Sequence, residues 1–310
     1  MSRRLVSIAT SGAVFGSLGV FAGYTYKDLI SAPPVLAKVD AAFSSESLMP
    51  VPLPSPGLPT ESPGLLSGPS RVSQIMKFGF PGFDNLKTFE DFVLSYDRRN
   101  RIPHWVFEHL TPQSFSSDVE VDRSKCNFHE DTSVHDYFRS HNSDYKGSGF
   151  DRGHMAAAGN HRKSQNAMEQ TFLLSNMAPQ VGKGFNRDKW NDLEKYIRKL
   201  ARNSLNVYVC TGPLYLPTTN KNGKMYVTYE VIGRSHVAVP THFFKVILAE
   251  TSKDNYLLES YVLPNQTIPD EIPLTSFLVP LESVERAAGF LVFEKIPKTF
   301  VKRINGKNVN

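Results

Sequence analysis

The pattern of apolar and polar residues between residues 71 and 300 predicts more strands than helices. Runs rich in β-branched and aromatic residues, each bounded by Gly, Pro or Asn, are typical of β-strands. They lie at residues 105–110, 172–175, 205–211, 224–232, 242–250 and 256–263. No internal repeat divides these runs into copies of one unit, so we expect one folded domain rich in strands.

One long stretch has its apolar residues at helical spacing. These residues are Trp190, Leu193, Ile197 and Leu200. They fall at i, i+3, i+7 and i+10 and predict a helix over residues 187–202. A shorter helix is predicted over residues 281–288, ended by Gly289. Because helices and strands do not alternate regularly, we expect a mixed α+β domain and not a parallel doubly wound sheet.

The composition favours a globular protein with a polyanionic partner. Of the 310 residues, 40% are hydrophobic and 11% are aromatic, which is enough for a core and excludes wholesale disorder. The net charge is +5 and the pI is near 9.0, and the whole basic excess lies in residues 71–310. This balance favours nucleic acid without proving it. The two cysteines are too few for the disulfide framework of a small secreted protein.

The first 70 residues predict two segments that precede the folded domain. Arg3 and Arg4 come before an uncharged stretch from Leu5 to Tyr26. A secretory signal, a mitochondrial presequence and a membrane anchor all compete for this stretch. We favour a mitochondrial targeting segment over residues 1–30 that also acts as a weak membrane anchor. Residues 31–70 hold nine of the 21 prolines and predict a Pro/Ser-rich flexible tether, which leaves residues 71–310 as the folded domain.

The most informative motif is Asp-Arg-Gly-His-Met-Ala-Ala-Ala-Gly-Asn-His at residues 151–161. Arg152 offers a planar fork of N–H donors that suits phosphate oxygens. Gly153 permits a backbone geometry and a close approach that a side chain would obstruct. His154 can accept a proton as a neutral imidazole near physiological pH. These three successive residues indicate hydrolysis of a phosphodiester.

Asn186 and Glu194 form a second pair of candidate residues. Asn186 directly precedes the predicted helix, where asparagine is a favoured N-cap. Alternatively, its side-chain oxygen binds Mg²⁺, an ion that keeps most of its waters; one oxygen cannot serve both roles fully. Glu194 follows on nearly the same side of the helix. It either orients metal-bound water or forms an i,i+4 pair with Arg198 on a solvated face.

Two further groups carry weaker signals. Cys126, His129, His135 and His141 form a loose cluster whose spacing matches no compact zinc-ligand pattern. A structural zinc site is therefore not favoured. Arg123, just before this cluster, resembles an isolated surface charge on spacing alone.

Four ordered motifs resemble the DNA/RNA non-specific endonucleases of the ββα-metal class, and most closely the mitochondrial members of that family. Besides residues 151–161, the motifs are Leu-Leu-Ser-Asn-Met-Ala-Pro-Gln (173–180), Phe-Asn-Arg-Asp-Lys-Trp (185–190) and Thr-Gly-Pro-Leu-Tyr (211–215). The resemblance spans nearly all of residues 75–300. It implies a mainly antiparallel sheet core with a ββα-metal catalytic motif.

The resemblance also implies a role for each candidate residue. His154 would be the general base, and Asn186 would be the single direct protein ligand of Mg²⁺, for which Mn²⁺ can substitute. Glu194 would hold metal-bound water. Together with His154, the resemblance counts Arg152, Glu194 and Asn176 as catalytic, Asn176 because it supports the active site. Arg152 would also bind the substrate phosphate.

The family's biology is implied in the same way. Arg123 is similar to a second phosphate-binding arginine, and Asp151 is expected to brace its neighbours. Members of the family cut DNA and RNA to 5′-phosphate and 3′-hydroxyl ends and act as homodimers. They reside in the mitochondrial intermembrane space, where we expect the N-terminal segment to contact the inner membrane. In apoptosis they can move to the nucleus and degrade DNA.

Two alternatives stay open at this point. One is a mitochondrial exonuclease-like paralogue, which carries an additional C-terminal segment for which little room follows Phe300. The other is a catalytically silent nucleic-acid-binding protein. Such a protein would have no need for His154, Asn186 and Glu194 together.

Overall fold

The structure, a computed structural model, describes residues 68–115 and 120–309. Its α-helices are α1 (Arg71–Ile75), α2 (Asn142–Tyr145), α3 (Gln165–Gln170), α4 (Trp190–Arg202) and α5 (Leu281–Ala288). Its strands are β1 (Leu86–Thr88), β2 (Phe92–Asp97), β3 (Ile102–Leu110), β4 (Phe150–His154), β5 (Met177–Val181), β6 (Asn206–Leu214), β7 (Thr218–Thr219), β8 (Met225–Tyr226), β9 (Val231–Ile232), β10 (Val237–Ala238), β11 (His242–Ser252), β12 (Asn255–Pro264), β13 (Val301–Ile304) and β14 (Lys307–Asn308).

The targeting segment predicted for residues 1–30 and nearly all of the tether predicted for residues 31–70 lie outside the described residues. Within the part of the chain that the structure describes, none of the helices has the length and apolar character needed to span a bilayer.

Eight strands form one sheet in the order β1-β2-β3-β6-β11-β12-β13-β14. Every neighbouring pair is antiparallel except β12 and β13, which run parallel. The mixed α+β fold with a mainly antiparallel sheet is therefore confirmed.

The centre of this sheet is apolar on both faces. Along β11, Phe243 and Ile247 belong to one core cluster, while Phe244 and Val246 belong to the other. This is the alternation that a strand imposes on successive side chains. The first core cluster includes residues of α4 and β5, and the second includes residues of α1 and α5. Burial on both faces explains why residues 242–250 form an almost unbroken apolar run.

The strands at the centre of the sheet are the ones that the sequence pattern identified. The runs at 105–110, 205–211, 242–250 and 256–263 lie in β3, β6, β11 and β12, apart from one residue at the start of the second. The strand predicted at 172–175 was wrong, because a 3₁₀ turn over Leu174–Asn176 occupies much of that segment. The run at 224–232 yields only the two-residue strands β8 and β9, and most of its residues are exposed.

The two predicted helices are confirmed: the one predicted at 187–202 begins three residues later, at Trp190, and the one at 281–288 has the predicted bounds. Trp190, Leu193 and Ile197 of α4 are almost fully buried, as their spacing required. The segment Gly182–Lys189 before α4 is a wide helical turn, broken at Gly184 by a positive φ of 82°. A residue other than glycine would be strained there. Gly289 ends α5 in the left-handed conformation at φ 80°.

The site is built on a smaller unit beside the main sheet. Strands β4 and β5 pair antiparallel, with His154 opposite Met177. The chain leaves β5, passes through the turn Gly182–Lys189 and enters α4. Two antiparallel strands followed by a helix are the arrangement that the ββα resemblance implies. This unit places the end of β4 beside the start of α4.

Candidate active site

One cavity of about 900 Å³ brings together nearly all the candidate residues. Its walls come from three segments of the chain, within residues 123–128, 142–159 and 186–198. The candidates that line it are Arg123, Arg152, His154, Asn186 and Glu194. Asn176 does not line it.

His154 is held in an aromatic frame at the end of β4. Its ring lies 4.8 Å from the ring of Phe172, edge to face, and 5.4 Å from the ring of Phe128. Burial above all, with the positive charges of Arg123 and His161, lowers the pKa of His154 to about 3. The imidazole is therefore uncharged at neutral pH and can accept a proton.

The two nitrogens of the His154 ring differ in their surroundings. Nε2 is buried and has no hydrogen-bond partner among the described residues. Because the residue lines the cavity, Nδ1 is the nitrogen left to meet a water or a substrate there.

Gly153 leaves space for a buried side chain of the neighbouring strand. A Cβ at position 153 would overlap the side chain of Gln180. The φ of Gly153 is not positive, so the backbone conformation does not require a glycine here. The close approach of the Gln180 side chain does. Gln180 is itself fully buried and neither end of its amide has a partner among the described residues.

Asn186 lies in the turn before α4, and its amide is held in one orientation. Nδ2 donates a hydrogen bond to Oδ2 of Asp151 at 2.9 Å. Arg187 donates two further bonds to the same carboxylate, at 2.6 and 2.8 Å. Oδ1 of Asn186 accepts no hydrogen bond from the described residues. The N-cap interpretation is therefore wrong, because Lys189 directly precedes α4 and no side chain of the described residues caps this helix start.

Glu194 lines the same cavity from α4, one turn after Trp190. Its side chain is 16% exposed, and its Oε2 lies 3.8 Å from the guanidinium of Arg198. Burial raises the pKa of Glu194, and the positive charges of Lys245 and Arg198 oppose that rise. The i,i+4 pair considered for a solvated face is thus present, but it lies at the cavity wall.

The two arginines that are candidates for phosphate binding each lie against a different aromatic ring. Arg152 donates a hydrogen bond to Oδ1 of Asn142, and its guanidinium lies 4.3 Å from the ring centre of Phe128. Arg123 is exposed on a 3₁₀ turn and lies 5.7 Å from the ring centre of Phe172. The aromatic pair that frames His154 therefore also supports both arginines. Spacing alone suggested an isolated surface charge for Arg123, and the structure places it at the cavity.

Asn176 acts behind the cavity. It is fully buried, and its Oδ1 accepts a hydrogen bond from the backbone N–H of Ala156 at 2.9 Å. Its Nδ2 donates to the carbonyls of Ala156 and Thr171. These bonds fix the backbone just after His154. Asn176 is therefore a support for the site and has no contact with the cavity.

The donor set fits a hydrated hard cation. The carboxamide oxygen of Asn186, in the turn before α4, and the carboxylate of Glu194, on α4, are hard oxygen donors, which Mg²⁺ prefers. Two protein donors would leave most of the waters of the ion in place. Within residues 68–115 and 120–309, no group of three or more His, Cys, Asp or Glu side chains is placed to hold a metal ion. The loose cluster of Cys126, His129, His135 and His141 is accordingly not such a group.

Some residues of the site gave no signal in the sequence. Phe128, Phe172 and Asn142 support the ring of His154 and the guanidinium of Arg152, yet none belongs to a recognisable spacing pattern. The one available signal is that Phe172 directly precedes the motif at 173–180.

Comparisons with known proteins cover the same part of the chain. The sequence profile described as "DNA/RNA non-specific endonuclease" matches residues 71–299. A Caenorhabditis elegans protein named "Endonuclease G, mitochondrial" is 56% identical over 241 residues, which are 77% of this chain and 78% of that protein. A human protein of the same name is 55% identical over 223 residues, 72% of this chain and 74% of that protein.

A solved structure is similar as well. It is described as "Crystal structure of the EndoG/EndoGI complex: Mechanism of EndoG inhibition". The TM-score is 0.77 at 59% identity, and the match covers 79% of this chain and 100% of that one. The sequence and the fold of this chain thus match proteins of the same name.

Proposed function

Because the chain belongs to the DNA/RNA non-specific endonuclease family, we propose that it cleaves phosphodiester bonds within both DNA and RNA and leaves 5′-phosphate and 3′-hydroxyl ends. Family membership makes it a hydrolytic nuclease. The proposed cofactor is Mg²⁺, with Mn²⁺ as a substitute. The hard oxygen donors of Asn186 and Glu194 support that choice of ion.

In the proposed mechanism each side chain at the cavity has one task. His154, uncharged at neutral pH, takes the proton from the attacking water. The guanidinium groups of Arg152 and Arg123 bind phosphate oxygens and hold the phosphorus within reach of that water. Asn186 would hold the ion directly and Glu194 would hold it through water. When bound, the ion neutralises negative charge on the phosphate and on the leaving oxygen.

One observation carries this proposal: the five side chains come from three separated segments and line one cavity. A protein that only bound nucleic acid would need the arginines. It would have no need for a neutral histidine held against two aromatic rings in a cavity that an amide and a carboxylate also line.

The substrate is proposed to be recognised through its backbone. The cationic groups at the cavity suit phosphates, and no base-reading motif occurs in the sequence. Affinity should therefore fall steeply as salt concentration rises, because each phosphate contact releases counterions.

The test is a cleavage assay on closed circular plasmid. The full-length chain is incubated with supercoiled plasmid and Mg²⁺, then again with EDTA, and the His154→Ala variant is assayed in parallel. We expect nicking by the wild type and none in the other two reactions. His104→Ala is the matched control, because His104 is exposed on β3 and does not line the cavity.

The same assay separates the alternatives. An exonuclease needs a strand end, so an exonuclease-like enzyme would leave closed circles intact and degrade linear DNA. A catalytically silent binding protein would retard both forms in a gel and cut neither. Cleavage that persists in His154→Ala would remove His154 as the base.

We further propose that the protein acts as a homodimer in the mitochondrial intermembrane space, attached to the inner membrane by its N-terminal segment and able to reach nuclear DNA in apoptosis. The names of the C. elegans and human relatives support the mitochondrial address. An exposed apolar segment supports self-association. Its residues are Met225, Tyr226, Val227, Tyr229 and Val231.

Sedimentation equilibrium tests the dimer. Val227→Glu should yield a monomer, because a buried carboxylate without a partner opposes association. Leu291→Glu is the control, because Leu291 is equally exposed outside that segment. A wild type that sediments as a monomer would contradict the proposal.

A further inference from the structure

A buried lysine lies under the cavity, in the middle of the main sheet. Lys245 of β11 is 1% exposed and ranks among the largest fully buried side chains of the described residues. It occupies a position between Phe243 and Ile247, which belong to the first core cluster. Because alternate residues of a strand share a face, its side chain enters an apolar layer where aliphatic or aromatic residues are expected.

The ammonium group of Lys245 contacts three elements. Nζ donates a hydrogen bond of 2.8 Å to Oγ1 of Thr211 on the neighbouring strand β6. A longer bond of 3.5 Å reaches the carbonyl oxygen of Met155, the residue directly after His154. Nζ also lies 4.7 Å from the ring centre of Trp190, the first residue of α4.

No carboxylate of the described residues lies within 4.0 Å of this ammonium group. Burial lowers the pKa of Lys245, while Glu108 and Glu194 oppose that shift from farther away. A buried charge without a direct ion pair destabilises a fold relative to an apolar side chain of similar volume. A role in packing alone therefore does not explain a lysine at this position.

The contacts of Lys245 connect the two elements that carry the reacting groups. The end of β4 carries His154, and α4 carries Glu194 one turn after Trp190. The contact with Met155 joins Lys245 to the residue after His154, and the contact with Trp190 joins it to the helix that carries Glu194. The third contact, with Thr211, holds the ammonium group at the centre of the sheet. Displacing such groups by about 1 Å can lower a rate by about 100-fold.

We propose that Lys245 is a positioning residue that holds the end of β4 and the start of α4 at a fixed separation, and thereby holds His154 opposite Glu194. This inference rests on the proposed nuclease function. It adds a residue that lies 90 positions after Met155 in the sequence and touches neither substrate nor metal.

The main test replaces the ammonium group and keeps the shape of the side chain. Lys245→Met should leave stability in urea unchanged or raise it, because an apolar side chain suits the site better than an unpaired charge. The kcat of plasmid cleavage should fall about 100-fold, with KM within about twofold of wild type. Val246→Ala, on the other face of the same strand, is the control and should lower stability while kcat stays unchanged.

A second variant removes the hydroxyl of Thr211, which accepts the hydrogen bond from Lys245, and keeps the lysine. Thr211→Val should lower kcat less than Lys245→Met does, and the double variant should be no slower than Lys245→Met alone. Such non-additivity is expected when two residues act through one ammonium group. If Lys245→Met fails to fold, Thr211→Val still tests the inference, because it leaves the charge in place. Its kcat should then fall below that of the wild type with KM unchanged, and an unchanged kcat would overturn the role of Lys245.

A measurement without metal or substrate separates this inference from the proposed function. The carbonyl ¹³C resonance of Met155 in the metal-free protein should shift in Lys245→Met and stay in place in Val246→Ala. An unshifted resonance, or a kcat of Lys245→Met within about threefold of wild type, would overturn the role of Lys245. Absence of cleavage by the wild type would instead overturn the nuclease proposal and leave the resonance to decide on the contact.

Discussion

The side-chain amide of Asn186 donates its hydrogen bond to Asp151, a residue that lies on the strand carrying His154. The carboxylate of Asp151 is in turn held by the guanidinium of Arg187. Because Nδ2 is committed to Asp151, Oδ1 of Asn186 is the end of the amide left to bind an ion. One carboxylate thus orients the proposed metal ligand and connects the turn before α4 to β4.

Removing that carboxylate should weaken metal binding. In Asp151→Ala the amide of Asn186 can rotate, so we expect the Mg²⁺ concentration for half-maximal cleavage to rise about 10- to 100-fold, the usual effect of losing a residue that orients a metal ligand. Titration of plasmid cleavage with Mg²⁺ measures this. Asp192→Ala is the control, since Asp192 is an exposed carboxylate of α4 paired only with Lys195. Equal Mg²⁺ requirements in wild type and Asp151→Ala would contradict the orienting role.

The pKa of His154 should respond more to its aromatic frame than to nearby charge. Burial is the largest cause of the lowered pKa and Arg123 the next. Phe172→Ala admits water to the ring, so it should raise the pKa of His154 toward 6.5 by more than Arg123→Ala does. Histidine NMR titration of the metal-free protein gives both values. The pKa of His242, lowered to about 4 by burial elsewhere, should stay the same and serves as the internal control.

Gly153 should tolerate a methyl group only if Gln180 is shortened. Gly153→Ala forces a Cβ into the Gln180 side chain and should destabilise the fold by about 1–3 kcal/mol in urea denaturation. In a Gln180→Ala background the same substitution should cost clearly less, because the overlapping atoms are gone. Gly82→Ala, where a Cβ would meet open space, should change little. Additive effects of the two substitutions would mean that the overlap does not set the cost.

His161 should make stability depend on pH. Its ring is fully buried, 3.0 Å from Glu108 and 3.4 Å from Asp91. Burial alone would lower its pKa, but these two carboxylates outweigh burial and raise the pKa to about 9. The folded protein therefore keeps a proton that the unfolded chain releases near pH 6.5, so the stabilisation is complete below pH 6.5 and is lost as the pH rises toward 9.

Urea unfolding at several pH values tests this. The wild type should lose on the order of 3 kcal/mol between pH 6 and pH 10 relative to His161→Gln. The variant should be less stable than the wild type at pH 6, because Glu108 then lacks its cation, whereas Asp91 keeps Arg71. A constant difference between the two proteins across this range would show that His161 does not carry the proton.

The sequence predicted the elements whose own residues show the hydrophobic pattern typical of a helix or a strand. Helix α4 was found because Trp190, Leu193 and Ile197 recur at its period, and β11 because most of its residues are apolar. Strands β4 and β5 were missed, because Gly153 and Pro179 are poor strand residues. Their pairing depends on contacts of the finished site, which a local pattern does not contain.

The residues of the site also fall into those that a local sequence pattern identified and those that it did not. Arg152 and His154 could be identified because they lie two positions apart in the sequence and are chemically informative. Phe172 and Lys245 could not, because an aromatic ring and a lysine in isolation have many uses. Their relation to His154 exists only after residues far apart in the chain have met. The same is true of the N-cap alternative for Asn186, which is excluded because α4 begins at Trp190 and not at Arg187.

The cavity draws its walls from three segments, and the sheet beneath it is completed by strands that come later in the chain. None of these segments can hold a phosphate and an oriented imidazole alone. A polypeptide still emerging from the ribosome carries the reactive side chains but has no surface on which they converge. The cavity is therefore complete only after the last central strands, β11 and β12, have been added to the chain.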